Sequence, residues 1–307
     1  MEKKYELIKD DTIEVNSFGC LKVLYRIKAL KDFNDVKKGD LGGYIEKEDN
    51  LGHEGNCWIC GDARVFGKAL ICGDARVFDD ARVHDDARVF GKALICGDAR
   101  VFGKAQVFDD ARVYDDARVF GEALICGDAR VFGKAQVFGG ARVYGNTKIL
   151  GNSMIGDEGN INSNNDYINM GPIGDLYATF YIGTHDNIKI VYNQNILTID
   201  EFINSLNRNF NINDECKNQY IGMIEYVKGI LINRNSPDCD ENKESDATNT
   251  QEDEVNDALK LIRGVCKNTK HCENCILSKD GKKCGIADKL PIYWKLRSDV
   301  VKHNLFI

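Results

Sequence analysis

From Gly55 to about Ile155 the chain advances in unbroken steps of six residues, and few folds tolerate that period. GDARVF, GKALIC, DDARVH and GKAQVF are variants of one unit. Four residues such as Ala63, Arg64, Val65 and Phe66 alternate small, polar, β-branched and aromatic, and two residues such as Gly67 and Lys68 follow. Alternation of period two predicts a strand, because successive Cβ atoms of a strand point to opposite faces. The Gly, Asp or Asn pair between strands tolerates left-handed backbone angles, so each pair reads as a corner. The β-branched alternation and the recurrent glycine exclude a helix.

Three corners close a triangle, so one coil takes 18 residues and residues 18 apart stack at about 4.8 Å, the spacing of paired strands. Val65, Ile71, Val77, Val83 and the alanines then point inward. A little under six such coils would make a rod roughly 27 Å long. A larger duplication is superposed on this period. Asp79 to Phe108 and Asp109 to Phe138 are the same segment except at His84/Tyr114 and Lys92/Glu122.

Length and composition allow a sizeable core and about two domains, with 307 residues, 43% hydrophobic and 29% charged. A net charge of −7 argues against nucleic acid or an anionic membrane as a general partner, so any anion site must be local. No apolar run is long enough to span a bilayer, and the charged start MEKKYELIKDDTIEV lacks a signal-peptide core, which predicts a cytoplasmic protein without membrane association. Several of the 12 cysteines recur at one position of the repeat, which predicts reduced thiols.

The segments flanking the repeat differ from it. Residues 1–54 read as a β cap over the first coil, needed because an open coil edge templates aggregation. The β-helix then covers 55–170, its last residues dissolving into polar turns. Residues 171–233 predict a small α+β module: ATFYIGT and IKIVYNQ as a hairpin, then IDEFINSLNRNF and CKNQYIGMIEYVKGIL as helices. Residues 234–254 are acidic and poor in apolar groups, which reads as a linker. Residues 255–307 form a Cys-rich helical module. There Cys266, Cys272, Cys275 and Cys284 have a two-residue gap that lets paired thiolates reach one ion, and the reading is a zinc site. The alternative is a set of reduced thiols packing a very small domain.

This pattern resembles the hexapeptide-repeat family, whose aliphatic residue every sixth position marks a left-handed parallel β-helix. LYRIKALKDF followed by KKGDLGGYIEKEDNLGHEGN is also similar to the start of uncharacterised hexapeptide proteins of bacteriophages and prophages. The resemblance implies a mainly β fold, frequent trimers, and functions ranging from acyltransferases and carbonic anhydrases to plain scaffolds. Family enzymes carry a catalytic histidine and a pocket-forming loop that interrupts the coils. Here the repeat is uninterrupted, and His84 is the one candidate base within it, with His53 the other histidine near the coils. Three histidine ligands for a carbonic anhydrase zinc are missing from the repeat.

Stacking at 18 residues lines up Arg64, Arg82, Arg100 and Arg118, with Phe66, His84, Phe102, Phe120 and Phe138 beside them. Two readings stay open for these arginines. The corner column Asp62, Asp80, Asp98 and Asp116 could pair with them, or they could join Phe102 and Phe120 in a face for a planar anion such as a nucleotide. A flat aromatic stripe also reads as an oligomer interface. Lys68, Asp86, Lys104 and Glu122 alternate in sign as register-setting salt bridges would. The preferred reading is therefore a non-catalytic, homo-oligomeric scaffold or binding protein, and the alternative is an acyltransferase using acyl-CoA.

Overall fold

The computed structural model describes residues 3–17, 19–173, 176–184, 187–208, 213–232, 278–279 and 283–284. The chain divides into two units, Met1–Pro237 and Asp238–Ile307. The first is built around a parallel β-solenoid. Each hexapeptide yields a two-residue strand such as Arg64–Val65, Leu70–Ile71 or Arg76–Val77, because the corner pairs fix where a strand starts and stops. Residues 18 apart pair in parallel register: Arg64 with Arg82, Leu70 with Arg88, Arg76 with Leu94.

Three ladders result. A 9-stranded sheet displays Arg64, Arg82, Arg100 and Arg118 and is called here the arginine face. A 6-stranded second face displays Leu70, Arg88, Gln106, Leu124 and Arg142, and a 6-stranded third face displays Trp58, Arg76, Leu94, Arg112, Arg130 and Lys148. Between them the interior is Val, Ile and Ala; Val65, Ile71, Val77 and Ala99 are at 0% exposure.

Corners require backbone that L-residues avoid. Gly103 has φ 70° and an added Cβ would lie 2.9 Å from Gly121 N of the next coil, which favours glycine there. Asp85 nevertheless occupies such a corner at φ 61°. Its strain is offset because its carboxylate accepts the Gly103 N–H at 3.2 Å, and Asp79, Asp109 and Asp115 do the same for Gly97, Gly127 and Gly133. Each of these aspartates is thus tied to the backbone of the equivalent corner one coil further on.

The direction of the ladders decides how the first coil must be closed. N–H groups at the strand starts of one coil donate to carbonyls of the next, as Trp58 N does to Ala75 O and Arg76 N to Ala93 O. The first coil is left with free carbonyls. On the arginine face they are met by β3 (Leu41–Ile45), whose Tyr44 N donates to Ala63 O at 2.9 Å; β1 (Tyr5–Ser17) and β2 (Cys20–Ala29) extend that sheet as an antiparallel hairpin. On the second face the Asn50 amide donates to Ala69 O at 2.8 Å. On the third face the Lys4 ammonium donates to Cys57 O at 2.9 Å and Gly55 O at 3.3 Å. Lys4 and Asn50 are both fully buried, a placement that their polar groups tolerate only because of these bonds.

The far end closes on a separate core. The rungs Met154–Ile155 and Asn160–Ile161 end the ladder, and a 4-stranded antiparallel sheet follows: Tyr167–Ile173, Leu176–Ile182, Ile188–Tyr192 and Asn195–Leu197. Tyr181 and Tyr167 tie it to the coil by donating to Asp157 O at 3.1 Å and Lys148 O at 2.8 Å. Helices α1 (Ile199–Arg208) and α2 (Asp214–Ile232) pack Phe202, Tyr220, Ile224 and Leu231 against Phe180 of the sheet. Thr198 and Glu201 cap α1 reciprocally. The hairpin and both helices expected between 171 and 233 are thus present. No helix among the described residues is long and apolar enough to cross a membrane.

Candidate functional site

The arginine face carries the longest run of arginines in successive rungs. Arg64, Arg82, Arg100 and Arg118 are Cα partners in successive rungs, about one strand spacing apart. Among the described residues none of these four guanidinium groups makes a salt bridge, and Arg64 Nε is buried without a hydrogen-bond partner. Burial and the flanking Arg64 and Arg100 hold Arg82 below the usual arginine range, with Asp98 and Asp80 opposing them less strongly. The pairing envisaged with Asp62, Asp80, Asp98 and Asp116 is not formed. Asp62 turns instead to Arg26 of β2, 3.5 Å away, and the other three stay exposed.

Beside this column runs an unbroken ladder of rings. Phe66, His84, Phe102, Phe120 and Phe138 stack with centroids 4.8, 5.0, 5.0 and 5.3 Å apart and planes within 5°, 8°, 3° and 10° of parallel. Each ring face is therefore occupied by the next ring. A planar ligand cannot stack on Phe102 or Phe120, contrary to the reading of a base-stacking face. What the ladder shows to solvent is ring edges, whose electropositive rim reinforces the arginines. The ends are closed too: Phe66 packs on Leu24 and Tyr44, and Phe138 on the same core as Ile196.

His84 is clamped in this ladder between Phe66 and Phe102. Its Nδ1 lies 3.1 Å from Asp85 Oδ1 without hydrogen-bond geometry, and is buried without a partner. His53 sits elsewhere, at the N-terminal end: its Nδ1 accepts the Lys4 N–H at 3.2 Å, its Nε2 lies 3.2 Å from Glu48, and its ring stacks on Tyr5 at 4.6 Å. The structure does not bring the two histidines together.

The remaining columns resolve plainly. Lys104 and Glu122 pair at 2.8 Å and Lys68 approaches Asp86 at 3.7 Å, as the alternating signs predict. Cys72, Cys96 and Cys126 are half-buried free thiols that burial pushes above the usual thiol range. Sequence reasoning missed Lys4, which binds the inward-facing Cys57 Sγ at 3.2 Å as well as two carbonyls. A lysine so close to the chain start carries no signal of burial. Cys266, Cys272 and Cys275 lie outside the described residues, and of Cys284 only the backbone is described, in the strand Lys283–Cys284 paired with Ser278–Lys279.

A family description, the YdcK beta solenoid repeat, matches residues 105–121, the stretch that contains Phe120 and Arg118. Between Trp58 and Ile161 the chain is a parallel β-solenoid of hexapeptide repeats. The uncharacterized acetyltransferase YdcK of Escherichia coli (strain K12) is 49% identical to this chain over 49 residues. That stretch is 16% of the chain, and it spans 15% of the length of the curated relative it matches.

Proposed function

We propose that this solenoid is a non-catalytic scaffold that presents its arginine face to a partner bearing anionic groups. The observation that carries this reading is the column of four guanidinium groups in register with no salt bridge among the described residues. Folding gains nothing from adjacent like charges, which repel at this spacing unless an anion lies between them. A nucleotide-like ligand would be held by its phosphates on the arginines rather than by its base. Mass spectrometry of small molecules released by heating the purified protein tests this, with Arg82→Leu/Arg100→Leu as the comparison. A stoichiometric phosphate-bearing compound lost in the variant supports a small ligand; release of equal amounts from both proteins counts against the face.

The name of the matched relative favours a second reading, acyl transfer from an acyl-CoA. Two observations weigh against it. The pairing runs at 18-residue intervals from Trp58 to Ile161 with no insertion to wall a pocket. His84 has its ring faces covered and Nδ1 buried, which leaves little freedom for a general base. Acetyl-CoA turnover over a panel of amines and alcohols, abolished in His84→Phe, would replace the scaffold reading with this one.

A further inference from the structure

We propose that the arginine face is self-complementary, so that its partner is a second copy of this chain packed with its coil parallel to the first about a two-fold axis running along the coils. This rests on the scaffold reading and names the partner. Two columns make the surface. Arg82, Arg100 and Arg118 stand in successive rungs. Two positions earlier in each unit, Asp80, Asp98 and Asp116 form a second column over the same coils, all three exposed at the corner.

Within one chain the columns lie side by side without joining: among the described residues no salt bridge links them, although Asp98 and Asp80 act on Arg82 through space. A positive stripe beside a negative stripe, both parallel to the coil, is complementary to itself under only one class of two-fold axis. An axis along the stripes lays each stripe of one copy on the opposite stripe of the other; an axis across them lays arginine on arginine. The resulting contact is isologous and closed.

Spacing supplies the second argument. Side chains on one face of an extended peptide recur at roughly 6.6 Å, whereas solenoid rungs recur at about 4.8 Å. A partner that answers three successive guanidinium groups in register must share the rung spacing, and a second copy does. At the first rung Asp62 already engages Arg26, so the contact begins at Asp80 and Arg82.

Charge swapping tests this on the full chain, by light scattering after size-exclusion chromatography at low and high salt. Wild type is expected to be a dimer that weakens as salt rises. Arg82→Asp/Arg100→Asp and Asp80→Arg/Asp98→Arg should each be monomeric with an unchanged β circular dichroism spectrum, at least about tenfold weaker in association. An equimolar mixture of the two variants should restore the dimer, a result that misfolding cannot mimic. The proposal is overturned by a monomeric wild type, by a three-fold assembly, by variants that associate like wild type, or by a mixture that stays monomeric. A monomer that instead loses a bound phosphate compound on Arg82→Asp would assign the face to a small anion. Acyl-transfer activity is read separately, so failure of the scaffold reading and failure of this contact are distinguishable.

Discussion

The arginine face and the second face are made by the same repeat around the same interior, yet they treat charge oppositely. On the second face Gln106 and Leu124 separate Arg88 from Arg142, so no two cations adjoin. On the arginine face four adjoin and none is tied, while the rings beside them form one continuous ladder. Folding does not require this, since Leu and Gln fill the equivalent outward position one face away. The inside of the solenoid specifies the coil; the outside records what each face meets.

If that division holds, core substitutions should not distinguish the faces. Val101→Ala on the arginine face and Val107→Ala on the second face remove the same methyl groups from sites at 0% exposure. Each should cost about 2–3 kcal/mol in denaturant unfolding, with the two agreeing to within about 0.5. A gap of several kcal/mol would mean that the faces differ inside as well.

Outward substitutions should differ in sign. Arg76 on the third face is bound to Asp35 through Nη1 and, at 3.0 Å, through Nη2. Arg76→Leu should lower stability by up to about 1 kcal/mol, the range of an exposed pair. Arg100→Leu removes a cation flanked by two others and should raise monomer stability by a few tenths of a kcal/mol, the usual size of like-charge repulsion between surface neighbours. Measured at low salt in the same assay, equal signs would remove the electrostatic distinction between the faces.

His84→Phe extends the contrast to the ring ladder. It restores the ring that Phe66, Phe102 and Phe120 repeat and removes a buried nitrogen without a partner. Thermal unfolding should show unchanged or slightly raised stability, by about 1 kcal/mol at most. A clear loss would show that the imidazole makes a contact that phenylalanine cannot.

How much of this was legible in the sequence follows the same inside and outside division. Period six, the inward Val, Ile and Ala, the stacked columns and the module at Thr198–Ile232 could be read because each rests on local pattern. The rung that closes the first coil was not legible as such. LGGYI carries no arginine or β-branched alternation, yet Tyr44 pairs with Arg64, 20 positions on, and Leu51 with Ile71, so a two-residue slip hides the rung. Lys4 and Asn50 were equally hidden, since capping open carbonyls depends on what lies above the coil. For the arginine face, sequence fixed which residues align but left pairing with Asp80 and Asp98 open, and ring orientation was beyond its reach. Stacking of ring on ring is a consequence of rung spacing near 5 Å, and it excludes the very base stacking that an Arg and Phe column suggests.

Acid titration sharpens the comparison at its finest scale. The Arg76 guanidinium bonded to Asp35 holds that carboxyl below its ordinary range. A folded pKa depressed below the unfolded value, about 3.9 for Asp, contributes stability that is fully present above that value and is lost as pH falls through the folded pKa. Asp35 is exposed, so solvent screening limits the effect to a few tenths of a kcal/mol. Unfolding free energies of wild type and Asp35→Asn should therefore differ at pH 6 and converge as the pH approaches about 2, the wild type losing the difference. Measured at concentrations where both proteins are monomeric, Arg100→Leu, having no carboxylate bound within its own chain, should follow the wild-type acid limb in parallel. If it instead flattened that limb as Asp35→Asn does, the arginine column would hold a carboxylate within its own chain, and the surface would no longer need a second copy to answer its charge.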